Sequence, residues 1–158
     1  MKHILRIFFM VVFAVAIFFF MLYVEIDQIL SERIVPGANL TLEAWIDTFR
    51  QWASIGIGGS LIAALIWYFI AQWIFKVIRW KDAGKRPVWY LLFLVPILIS
   101  VLSCVFTSQT QEAVLFAYFF YFVNNLLAFY LGTVLFSPSS FMYTPLGATT
   151  LRHLKLAI

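Results

Sequence analysis

The chain has 158 residues, 64% of them hydrophobic and 11% charged, with a formal net charge of +4. Soluble domains carry about a quarter charged residues, so this composition excludes an ordinary water-soluble fold and fits one membrane domain. The positive charge is segregated along the chain, as in loops on the cytoplasmic side of a bilayer, which speaks against a nucleic-acid surface; the single cysteine, Cys104, rules out an intramolecular disulfide.

Lys2, His3 and Arg6 open the chain, and Ile7 to Val24 then runs without a charge or an amide. A signal peptide shares the basic start, but this core is long for one and no small-x-small site precedes Glu25. The reading is an uncleaved first transmembrane helix over residues 4–24. Its faces are built of large residues (Phe8, Phe9, Phe13, Phe18, Phe19, Phe20), with Ala14 and Ala16 the small ones. Close helix contact in lipid favours small residues, so this helix belongs at the bundle edge.

Residues 25–52 read as an outer loop containing the Pro36-Gly37 turn. Within it Leu42, Trp45, Ile46, Phe49 and Trp52 recur at helical spacing, opposite Glu43, Asp47, Arg50 and Gln51. Thr41 can cap that helix, and Glu43 falls in its first turn, where the dipole favours an acid. The expectation is a short amphipathic helix on the outer interface, with Trp45 and Trp52 at headgroup depth. Trp45 and Phe49 are candidates for docking a partner there. Asn39-Leu40-Thr41 matches a glycosylation sequon, a pattern common by chance.

The second span is predicted over 53–75, long enough for a hydrocarbon core of about 30 Å. Gly56, Ser60 and Ala64 lie four apart, as do Gly59 and Ala63, and Ala71 extends the same stripe, so a neighbouring backbone can come close. Gln72 falls near the cytoplasmic end, within reach of water or of the following loop. That loop, 76–87, holds five of the chain's eleven Lys and Arg residues.

A third span is predicted over 88–107. Pro96 lies in its middle, where it removes a donor and frees the carbonyl of Leu92, so a kink is expected. Pro96, Ser100, Ser103, Cys104 and Thr107 share a face suited to helix packing. The fourth span, 113–136, carries Asn124 and Asn125 near its centre. Unsatisfied amides in hydrocarbon cost several kcal/mol, so both need partners. Ala117, Tyr121, Asn124, Ala128 and Gly132 form a stripe expected to meet the Ser100 and Ser103 face of the third helix. The cytoplasmic tail, 137–158, is turn-rich and then short, basic and amphipathic; Tyr143, Arg152 and Lys155 are its docking candidates.

Nine Lys and Arg residues fall on one side of this layout and two, Arg33 and Arg50, on the other. The expected architecture is therefore all-α and polytopic: four transmembrane helices in two hairpins, both termini cytoplasmic, with the amphipathic interfacial helix between helices 1 and 2. Beyond Arg6, no span interior contains an acid or a base, which speaks against a pump or coupled carrier. His3 and His153 lie in opposite terminal segments without a third ligand nearby, so no metal is expected. No nucleophile–base set and no phosphate-cradling glycine loop is present, so neither an enzyme nor a cofactor is expected. The function that remains is protein–protein contact in a bacterial inner membrane, as an accessory subunit or an immunity or exclusion protein. The partner would be another membrane protein or a second copy. The alternatives are a self-assembling channel or permeabilising effector, and a component that carries a lipid or small molecule.

Overall fold

The computed structural model describes residues 2–24, 42–74, 86–108 and 115–135, and all of them are helical. Four helices follow one another: α1 (Lys2–Phe20), α2 (Leu42–Phe69), α3 (Arg86–Ser108) and α4 (Leu115–Leu135). A π-helical turn over residues 21–24 continues α1, and another, Ile70–Ile74, continues α2. Three segments are long and apolar enough to cross a membrane: His3–Val24, Glu43–Ile74 and Pro87–Thr107. The described apolar stretch of α4, Tyr118–Val134, is shorter. The proposed turns and loops, the Thr41 cap, and Tyr143, Arg152 and Lys155 lie outside the described residues.

The separate amphipathic helix expected before the second span is not a separate element. Residues 42–52 are the first three turns of one continuous helix that runs on through the small-residue stripe. Leu42 to Phe69 contains no proline, and nothing in its sequence interrupts the backbone ladder between Trp52 and Ala53. Part of its apolar face, moreover, is turned into the bundle. Trp45 and Phe49 are 2% and 0% exposed, packed with Met21 of α1 and Tyr121 of α4. Gln72, expected to reach water or the following loop, is buried within the π-helical turn, and that loop lies outside the described residues.

Consecutive helices run antiparallel. Met21, at the end of α1, joins Trp45 and Phe49 near the start of α2, while His3 meets Tyr68 near the end of α2. Between α2 and α3, Trp52 stacks on Phe106 at 4.6 Å, and Gly59 receives the δ-carbon of Ile99 further along. Thr107 and Tyr121 pair at one end of α3 and α4, and Trp89 and Thr133 at the other. Helix α2 packs most extensively, against both α3 and α4, whereas α1 covers one flank. On α1 and the turn that continues it, Met10, Ala14 and Met21 are buried, and Phe8, Val12, Val15 and Phe19 face outward.

The interior holds two apolar clusters, one toward each end of the bundle. One gathers Trp45, Phe49 and Tyr121; the other gathers Trp67, Tyr68, Trp89 and Phe129. Burial of such rings brings area and offset stacking, as in Phe49 against Tyr121 at 4.5 Å and 25°. Hydroxyls inside the helices are hidden by bonding back one turn: Ser60 to Gly56, Ser100 to Pro96, Ser103 to Ile99 and Thr48 to Ala44. Helix α3 continues through Pro96 without interruption.

Candidate functional site

Between the two apolar clusters, α2, α3 and α4 meet at a polar junction. Asn125 on α4 donates from Nδ2 to the hydroxyl of Ser100 on α3 at 2.9 Å. The Ser100 hydroxyl has one proton to give. It lies 2.7 Å from the Pro96 carbonyl and 3.3 Å from the Tyr121 carbonyl, so the nearer acceptor takes it. The nitrogen and oxygen end of the Asn125 amide abuts Gly56 of α2. A Cβ at that glycine would lie 2.6 Å from both Nδ2 and Oδ1. The junction therefore needs three residue types at once: a glycine that lets the end of the amide approach, a hydroxyl to accept, and the amide itself. Each interhelical bond of this kind contributes about 0.6 to 2 kcal/mol in a membrane.

Two further polar contacts extend the junction into a seam. Toward the Trp45 end, the Tyr121 hydroxyl donates to the Phe49 carbonyl at 3.3 Å and pairs with the Thr107 hydroxyl at 3.1 Å, joining all three helices again. Toward the other end, Trp89 donates from Nε1 to Thr133 at 3.2 Å, and Thr133 donates to the Tyr130 carbonyl at 2.9 Å. Ser100, Thr107, Tyr121, Asn125 and Thr133 are all buried, so these groups bond with one another and the backbone instead of with water.

Asn124 is the amide that the stripe placed toward the third helix, and Asn125 is the one bonded to Ser100. Asn124 is also buried, at 3% exposure. The expected small-residue stripe of α4 divides between neighbours: Tyr121 meets α3, whereas Gly132 faces Ala64 of α2 at ordinary contact distance, 3.6 Å from a built Cβ. Ala128 is buried in the cluster containing Trp45, and Ser103 is buried on α3. Gly56, Ser60, Ala64 and Pro96, assigned to helix packing, are all buried.

Three contacts were not anticipated from the residues: Trp89 to Thr133, Tyr121 to the Phe49 carbonyl, and His3 to Tyr68 at 2.7 Å. Thr133 lies eight residues after Asn125, about the same helical face, and that spacing carried the signal for it. His3 has no such periodicity to reveal it. Among the described residues, no three His, Cys, Asp or Glu side chains come together as metal ligands. Cys104 is half-buried and unbridged.

Comparison with protein-family models, with curated proteins and with solved structures returned no match.

Proposed function

We propose that this chain is a non-catalytic, multi-pass protein of a bacterial inner membrane that acts by contact with another membrane protein, as an accessory subunit or an immunity or exclusion protein. The observation that carries the reading is the Gly56–Ser100–Asn125 junction, where the most polar side chains in the apolar helices hold the chain's own helices together. An amide wedged against a glycine backbone has no room for a substrate, and a hydroxyl bonded on both sides is not poised as a nucleophile. Helix packing of this kind suits a scaffold whose working surfaces lie at its edges.

In this reading α4 is a fourth crossing, the helices form two hairpins, and both termini lie in the cytoplasm, as the nine-to-two division of Lys and Arg favours. With Trp45, Phe49 and Asn125 engaged inside the chain, partner contact falls to the basic tail around Tyr143, Arg152 and Lys155. Affinity purification of the full chain in mild detergent, alongside an Arg152→Glu/Lys155→Glu variant, tests it. The expected result is a stoichiometric protein partner that the variant loses. A monodisperse chain that brings down no partner from its native membrane would overturn the proposal.

A further inference from the structure

A groove of about 180 Å³ runs between α1 and α2 on the side away from the polar seam. Its walls are Ala14 and Phe18 of α1 and Ile57 and Leu61 of α2, and its α2 side includes Ser54 and Gly58. Two details mark it as apolar space. A Cβ built on Gly58 meets nothing within 4 Å, unlike those on Gly56 and Gly59. The Ser54 hydroxyl turns its proton back to the Gln51 carbonyl at 2.7 Å, so the groove offers a guest no donor.

The groove leads to charge. Glu43, Asp47, Arg50, Ser54, Gly58 and Leu61 are spaced by four, three, four, four and three residues, which keeps them on one stripe of the continuous α2. Directly beyond Ser54 along that stripe, Glu43, Ile46, Asp47 and Arg50 line an open depression of about 300 Å³. Arg50 and Asp47 approach only to 3.6 Å, with side chains 47% and 76% exposed, a weak pair that leaves both groups accessible. Moving away from the apolar groove, the order is fixed: first a guanidinium, then a carboxylate one turn out, then a second carboxylate.

We propose that this stripe is a binding site for one phospholipid with a zwitterionic, primary-ammonium headgroup of the ethanolamine type. One acyl chain fills the groove beside Gly58, the phosphate sits on Arg50, and the ammonium reaches Asp47 and Glu43. The charge order matches the lipid's own, since the phosphate lies nearer the acyl chains than the ammonium does. Arg50 presents a fork suited to phosphate oxygens, and a primary ammonium has three protons for the carboxylates. A purely anionic headgroup would place its excess charge beside Asp47 and Glu43, and a choline headgroup lacks N–H donors. The site does not depend on which side of the membrane this end of α2 occupies.

Native mass spectrometry of the full, delipidated chain, titrated separately with ethanolamine, choline and glycerol phospholipids of identical acyl composition, tests the proposal. The wild type should retain one ethanolamine lipid, at least tenfold in preference to the other two. Gly58→Leu, whose Cβ has open space and whose branch would occupy the groove, and Arg50→Gln, at an exposed side chain, should each lower that retention at least tenfold while keeping the wild-type helical circular dichroism. Asp47→Asn should move the preference toward the glycerol lipid. Equal retention of all three lipids by the wild type, or undiminished retention by both Gly58→Leu and Arg50→Gln, would overturn the assignment.

Discussion

Gly56 and Gly132 both lie in stripes of small residues, yet their surroundings differ and so should their responses to a methyl group. At Gly56 an added Cβ falls against the Asn125 amide, and the amide cannot withdraw without breaking its bond to Ser100. Gly56→Ala should destabilise the chain by about 1–3 kcal/mol, as overpacking does, read as an earlier unfolding midpoint in a denaturing-detergent titration. Gly132→Ala adds an ordinary contact to Ala64 and relieves the helix of a glycine, so its midpoint should stay level or rise. Ser100→Ala leaves the Asn125 amide without its acceptor and should cost about 1–2 kcal/mol in the same titration. The spacing of Gly56, Ser60 and Ala64 made the close contact legible in the sequence, because four-residue periodicity names a helix face. Which amide enters the contact was not legible. Neighbouring residues on a helix point about 100° apart, and a stripe drawn through Tyr121 and Ala128 accommodates either asparagine.

At the scale of single elements, α2 departs furthest from expectation. Its 28 residues span about 42 Å, well beyond a hydrocarbon core of about 30 Å. A crossing by α2 would leave its charged first turns outside the hydrocarbon, with Glu43, Asp47 and Arg50 exposed while Trp45 and Phe49 stay packed. In a Cys104→Ala background, cysteines at positions 47 and 50 should react with a membrane-impermeant maleimide at least tenfold faster than cysteines at the exposed but lipid-facing positions 62 and 66. Phe49→Ala, which empties a fully buried site, should cost about 3–5 kcal/mol, where a merely interfacial ring would cost far less. Residue spacing identified the right face and the wrong neighbour for it. Amphipathic spacing reports that one side seeks apolar surroundings, and it is silent on whether lipid or protein provides them. Here the provider is remote in sequence: Tyr121 lies 72 residues from Phe49.

For the molecule as a whole, helix content and three helices long and apolar enough to cross a membrane were readable because apolar runs of that length have few other uses. The pairing of helices was less so, since almost every face of these sequences is apolar and composition alone cannot choose among them. The choice falls to sparse polar and small residues: Ser100, Asn125, Thr133 and the glycines of α2. The proposed orientation puts both termini and the loop 76–87 on one side. Tags inserted at residue 81 and after residue 158 should resist protease in intact spheroplasts, and cleavage of just one of them would refute the two-hairpin layout. The seam also has a history in time. Gly56 and Ser100 leave the ribosome before Asn125 does, and at roughly 5–20 residues per second the glycine waits about 3–14 s for the amide that covers it. A nascent chain stalled before α4 thus displays a bare notch, the feature by which membrane quality control could tell an unfinished copy from a finished one.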